Sequence, residues 1–239
     1  MIADVTLMRP DGLLPLVHLP DVATALVYRR TGPRDGELRV VGPRSRASYH
    51  PGKTLPMCIR VRLRPGVARS MFGVPVSELR DRAVPLTELW GDRAARLEHR
   101  LNRLSGTDSV LRRIEDALLA GPHHDADLRD PLLREAVESL SSTGDRVAAL
   151  ARRLSVSERH LRDLFTDRVG LAPKRFTRIQ RVRTVLAGAG SAKWAGLAVD
   201  SGYYDQSHMA ADFHELMGCR QLPFAQATFP LRRRAPGDV

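Results

Sequence analysis

Two stretches of this chain repeat one another at an offset of 48 residues, and that repeat constrains the fold more than any other feature. Ser157 aligns with Asp205, Leu161 with Met209, Phe165 with Phe213, Gly170 with Gly218 and Phe176 with Phe224. Serine and aspartate side chains accept hydrogen bonds from the free amides at a helix start, and apolar residues four apart share one helix face. Each copy therefore reads as a capped helix, buried along one side and closed by a glycine that can take positive φ. Upstream of the caps the match slips by one residue, Leu150-Ala151 corresponding to Leu197-Ala198. The pattern predicts helix, tight turn, helix twice: 147–154, Ser155-Val156 and 158–165, then 194–200, Gly202-Tyr203 and 206–213. A small alanine in the first helix lets the second cross closely. The second helix then presents its first exposed turn outward, as entry into a major groove requires.

The same chemistry punctuates the whole region from Asp130 onward, which reads as helical throughout. Asp130-Pro131 is a cap followed by a first-turn proline. Asp145, after Gly144, caps 146–154; Ser157 caps 158–167; Asp205 caps 206–217. Pro173 opens a long helix to about residue 186, Gly188-Ala189-Gly190 stops it, and Ser191 starts the next. A rod over 174–186 would be about 20 Å long at ~1.5 Å per residue. It would fix the two outward helices at one separation. Successive major grooves on one face lie about 34 Å apart, so a closer spacing would require bent DNA.

The first half has a different period. Apolar runs at 13–18, 24–29, 37–41 and 57–63 are divided by Thr31-Gly32-Pro33, Gly42-Pro43, Pro51-Gly52 and Pro65-Gly66, which predicts short strands. Strict alternation in Ile59-Arg60-Val61-Arg62-Leu63-Arg64 predicts one buried face and an arginine row facing solvent. Helical spacing follows at 67–72, at 92–104 (Ala95, Leu97, Leu101, Leu104) and at 109–119 (Val110, Leu111, Ile114, Leu118). The last two form a hairpin that either packs on its own sheet or dimerises. Gly121-Pro122-His123-His124-Asp125-Ala126-Asp127 interrupts the helices and reads as a solvated linker rather than a metal site.

Composition narrows the partners. The 239 residues carry a formal charge of +11 and a sequence pI near 10.8, which suits a polyanion. The charge is shared almost evenly, +6 over 1–129 and +5 over 130–239, so local placement must decide where a polyanion sits. Two cysteines, Cys58 and Cys219, are too few for a disulfide framework or a four-thiolate zinc site. The chain begins without a secretory pattern and has no stretch of eighteen apolar residues, so the expectation is a soluble, cytoplasmic protein.

The segments 147–176 and 194–224, with Gly-Tyr-Tyr-Asp-Gln-Ser-His at 202–208 and Asp212-Phe213 beyond it, closely resemble the DNA-binding module of AraC/XylS transcription regulators. One departure stands out. The family's proline three residues after the closing glycine is present as Pro173, but Gln221 stands at the second such position. The resemblance implies double-stranded DNA as partner, RNA polymerase as the machinery acted on, and no cofactor. It assigns base reading to Arg159, Arg162 and Asp163 in the first unit and to Gln206, Ser207, His208 and Ala211 in the second. Arginine can bind guanine O6/N7 bidentately and glutamine can pair with adenine N6/N7. Ser157, Arg175, Arg178, Lys193, Tyr204 and Asp205 become phosphate contacts, through side chains or helix starts.

The first half also resembles a domain often found ahead of such modules. The likeness runs through Val40-Val41-Gly42-Pro43, Arg60-Val61-Arg62-Leu63-Arg64-Pro65-Gly66, Phe72-Gly73-Val74-Pro75 and Leu86-x-x-Leu-Trp90-Gly91. It implies regulation by a small-molecule effector or through a homodimer, and in the wider family such domains are often barrels. The expectation is thus an α+β chain. Residues 1–120 form a mainly-β, barrel-like sensing or dimerisation domain with trailing helices, 121–129 a linker, 130–232 an all-α DNA-binding domain, and 233–239 a tail. The rival reading is a DNA-modifying or repair enzyme carrying the same module. Against it, Cys58 stands alone and no catalytic or metal-binding motif is found.

Overall fold

A computed structural model describes residues 1–8, 15–52, 54–121, 130–142, 146–188, 198 and 201–218. The first half holds a five-stranded antiparallel sheet of order β1-β6-β3-β4-β7, with β1 (Ile2–Met8), β3 (Ala25–Arg30), β4 (Gly36–Val41), β6 (Met57–Leu63) and β7 (Ala83–Pro85). A separate two-stranded antiparallel ribbon pairs β2 (Leu16–His18) with β5 (Ser48–His50), strands that flank β3 and β4 in the chain. The sheet ends in β1 and β7 as free edges, so the barrel expected for this half is replaced by an open sheet. Two short helices follow, α1 (Ala68–Phe72) and α2 (Val76–Leu79), then α3 (Thr87–Trp90), α4 (Asp92–Arg103) and α5 (Thr107–Leu119).

Alternation explains which sheet face these helices cover. Leu26, Tyr28, Leu38, Val40, Ile59, Val61 and Leu63 are almost fully buried against Met71, Leu97, Leu101, Val110, Ile114 and Leu118. At roughly 25 cal/mol per Å² of apolar surface, each such side chain contributes about 1.5–3 kcal/mol. Of the two roles open to the α4–α5 pair, its apolar stripe packs on its own sheet. Ala94 rather than the expected Ala95 lies in that stripe. Polar contacts fix the register of the layers. The Tyr28 hydroxyl donates to Asn102 Oδ1 at 2.7 Å, and Arg30 Nη2 donates to the carbonyls of Leu101 and Leu104 that end α4, at 2.9 and 3.2 Å. Trp90 Nε1 donates to the Met71 carbonyl at 3.0 Å.

The opposite sheet face corrects the expectation of a solvated arginine row. Arg60 and Arg62 point at Asp21, which is only 1% exposed: Arg60 Nη2 lies 2.6 Å and Arg62 Nη2 2.7 Å from its carboxylate oxygens. Arg62 also pairs with Asp4, its cross-strand neighbour on β1. The alternation holds and Arg64 is exposed, but the face is covered at Arg60 and Arg62.

Asp21 and Asp4 supply that cover from the first half, and Arg183 of the second half reaches the same cluster. In that second half α6 (Pro131–Ser142), α7 (Val147–Arg153), α8 (Glu158–Arg168), α9 (Pro173–Gly188) and α10 (Gln206–Met217) build a second core from Leu133, Leu150, Leu161, Phe165, Phe176, Ile179, Val182, Met209, Phe213 and Leu216. Val22 belongs to this core, and Val17, Leu19 and Ala47 pack against it. The β2–β5 ribbon and its flanks therefore sit with the helices of the second half. Arg183 on α9 reaches the Pro20 carbonyl at 3.1 Å and approaches Asp21 at 3.6 Å. The first sheet, the segment after β2 and α9 thus meet at one buried carboxylate. Burial alone would raise its pKa, but Arg183, Arg60 and Arg62 outweigh it and hold the Asp21 carboxyl well below the usual range. Among the described residues, no helix is long and apolar enough to cross a membrane.

Candidate nucleic-acid interface

The repeat read from the sequence is visible as repeated geometry. Ala151 and Ala198 are both buried, and each accepts from the turn that follows: Val156 N to Ala151 O at 3.0 Å, Tyr203 N to Ala198 O at 2.9 Å. Small side chains there let the next helix cross closely. The turns take left-handed backbone at Ser155 (φ 55°) and Gly202 (φ 74°). Glycine adopts that conformation freely and serine at some cost, so the first turn is the more strained copy.

Both following helices carry their predicted caps. Ser157 Oγ accepts from His160 N at 3.0 Å to open α8, and Asp205 Oδ1 accepts from His208 N at 2.7 Å to open α10. Asp130 does the same for α6, accepting from Leu133 N at 3.1 Å. Each helix then buries its apolar side, Leu161 and Phe165 in α8 and Met209 and Phe213 in α10. Phe165 meets Phe176 edge-to-face at 5.5 Å between centroids. Both helices close on a left-handed glycine, Gly170 (φ 80°) and Gly218 (φ 70°). We expect Ser157→Ala and Asp205→Ala each to cost about 1 kcal/mol of stability. Urea denaturation midpoints would check this, and unchanged midpoints would show the caps to be dispensable.

With the apolar sides buried, the proposed readers face solvent. Arg159, Arg162 and Asp163 are exposed on α8, and Asp163 Oδ2 lies 3.8 Å from Arg159 Nε. On α10, Gln206, Ser207, His208 and Ala211 are exposed, and the His208 ring packs edge-on to Tyr203 at 5.4 Å. Tyr204 is 94% exposed beside them. Lys193, with the residues expected to form the first helix of the second unit other than Ala198, and the Gln221 position lie outside the described residues.

Arg175 and Arg178, expected at phosphates, are engaged inside the protein. Arg175 pairs with Glu215 and donates to the Ser45 carbonyl at 2.8 Å; Arg178 pairs with Glu215 and reaches Asp212 at 2.7 Å. These contacts tie α9 to α10 and hold the Glu215 carboxyl down at about 2, through hydrogen bonds from Arg178 and then Arg175. Burial, then the nearby Asp212 carboxylate, pushes the Tyr203 phenol up.

The structure adds a feature that the sequence reading did not assemble. An open groove of about 450 Å³ is lined by Arg146, Lys174, Arg178 and Arg181, with Glu158 as its acid. Lys174, Arg178 and Arg181 stand at i, i+4 and i+7 on α9, a stripe that helical periodicity could have revealed. Arg146 enters it from the start of α7, near the start of α8. The groove thus places a basic strip beside the start of α8.

Comparison with known proteins follows the same division. Residues 150–221 match the family model of a helix-turn-helix domain. No curated protein matches the chain. Among solved structures, ToxT from Vibrio cholerae aligns over 92% of this chain and 97% of its own at 12% identity, with a TM-score of 0.49. A second ToxT structure aligns over 93% and 95% at 11% identity, with a TM-score of 0.45. A third, of unsaturated fatty acid bound ToxT, aligns over 94% of each chain at 11% identity, with a TM-score of 0.42.

Proposed function

We propose that this chain, whose residues 150–221 form an AraC-type helix-turn-helix domain, is a sequence-specific transcription regulator that reads two successive major-groove segments of double-stranded DNA. The observation that carries the reading is the duplicated unit. Two capped helices, α8 and α10, each cross a small alanine, bury one face and present the other, and both pack on the same rod, α9. Arg159 and Arg162 then read guanine, Asp163 orients Arg159, and Gln206 reads adenine, with Ser207, His208 and Ala211 completing the second contact surface. Ser157, Asp205, Tyr204 and Lys193 serve phosphates. Arg175 and Arg178 join them only by exchanging Glu215 and Asp212 for phosphate oxygens. Residues 130–232 are the DNA-binding part, 121–129 the linker and 233–239 a tail. Residues 1–120 serve regulation by a small-molecule effector or a second copy of the chain, and RNA polymerase is the machinery controlled.

The test is binding selection from a randomised duplex library. Arg159→Ala and Gln206→Ala should each cost about 1–3 kcal/mol on the selected site and relax preference at a different base position. Recovery of the wild-type motif from both variants would sink the assignment.

A further inference from the structure

Helix ends leave backbone carbonyls without intrahelical partners. At the end of α10 two of them are taken by β5 and the residues just before it, in the first half of the chain. Ala47 N donates to the Leu216 carbonyl at 2.7 Å, and the Tyr49 hydroxyl donates to the Met217 carbonyl at 2.6 Å. The Ser45 carbonyl accepts from Arg175, which also holds Glu215 of α10, so three neighbouring residues of one strand approach grip the same helix end. The end of α8 is held differently. A Cβ at Gly170 would lie 2.8 Å from the Val76 carbonyl and 2.9 Å from Pro43 Cγ, whereas one at Gly218 would meet nothing within 4 Å among the described residues.

A ribbon of two three-residue strands is marginal alone and takes its position from what it packs against. The segment just after β2 is anchored to α9 by Val22 in the helical core and by Arg183 on Pro20 and Asp21. The strand pairs Val17↔Tyr49 and His18↔Ser48 carry that anchorage across to β5. The chain of contacts thus runs from α9 through the β2–β5 ribbon to the end of α10, parallel to the direct α9–α10 ion pairs.

We propose that the β2–β5 ribbon is a positioning element of the second reader: Ala47 and Tyr49 set the tilt of α10 and thereby the base preference at its far end. The inference rests on α10 being a reader. A helix of twelve residues spans about 18 Å, so a tilt of about 3° at its held end moves Gln206 by about 1 Å. Hydrogen-bond geometry tolerates less than that. Residues 47 and 49 are then positioning residues, acting through α10 and not on DNA.

The full-length protein tests this with Tyr49→Phe, which removes only the hydroxyl, and Ala47→Pro, which removes the amide donor. In duplex selection, base preference in the segment read by α10 should flatten while that read by α8 stays as in wild type. Affinity for the wild-type site should fall about 2- to 12-fold for Tyr49→Phe. Hydrogen exchange should speed up in α10 amides and not in α8. Equal weakening of both segments, or wild-type motifs from both variants, would overturn the proposal. A wild-type motif confined to one segment would instead overturn the two-reader assignment. Exchange would then judge the ribbon alone, and unchanged α10 protection would dismiss it.

Discussion

Asp21→Ala is expected to lower the stability of the chain by about 3–5 kcal/mol, the usual cost of removing one partner from a buried charge cluster. The carboxylate is 1% exposed and faces Arg60, Arg62 and Arg183, whose side chains are themselves only 15–24% exposed. Removing it leaves three cations sharing one desolvated space. Arg62 keeps Asp4, but Arg60 and Arg183 lose the charge that faces them. Arg44, whose backbone bridges Asp21, is already pushed down to about 10, by burial first and then by Arg60. The loss should reach both halves, because the same carboxylate touches β6 and α9. In a Trp194→Phe background, urea denaturation followed by Trp90 fluorescence, which reports the first half, and by circular dichroism, which reports the helices of both, would show the transitions moving together. A shift below about 1 kcal/mol would mean that water replaces the carboxylate. The sign of the pH dependence follows from the depressed pKa. The stabilisation is present above the unfolded carboxyl value of about 3.9 and is lost only as pH falls below it. Between pH 5 and 8 this group should contribute no slope.

That cluster also marks where the sequence stopped being readable. Caps are local: Ser157, Asp205 and Asp130 each act on an amide three residues on, so their helices could be placed from the sequence alone. The boundaries of β6 and of α10 agree with those expected for the same reason, alternation in one and a cap plus glycine in the other. Strands without a local signature were missed. Ile2–Met8 carries Asp4 and Thr6 on a face that is part covered, and Ala83–Pro85 is three residues long and ends in proline. Long-range pairing was invisible altogether. Nothing near Arg60 and Arg62 announces Asp21, some forty residues earlier, and nothing near Arg175 and Arg178 announces Glu215. Both pairs of arginines look solvent-facing by period and are held inside by partners distant in sequence. The reader faces were legible because exposure follows from the same periodicity that buries Leu161 and Met209. The basic groove was not, because its lining joins α9 to Arg146, which lies ahead of α7.

The double variant Arg159→Ala/Gln206→Ala is expected to lose about 2–6 kcal/mol of affinity for the selected site, the sum of two good base contacts. That is about 30-fold at the low end and above 10⁴-fold at the high end. Additivity is expected because the two residues sit at the starts of different helices and share no partner: Arg159 lies beside Asp163 within α8. The rod between them, α9, is continuous over sixteen residues and packs through Phe176, Ile179, Val182 and Val185, so one reader can lose its base without moving the other. Three outcomes separate the alternatives. If Gln206→Ala adds nothing to Arg159→Ala, only the first helix reads sequence. If the double loses no more than the worse single although each single is costly, the readers leave DNA together and the rod couples them instead of letting each act alone. If the losses add, salt dependence settles what kind of contact was removed. Base contacts release no counterions, so the log–log slope should stay at the wild-type value while affinity falls. A slope shallower by about one for Arg159→Ala would instead place its guanidinium on a phosphate, and α8 would position the protein without specifying the base.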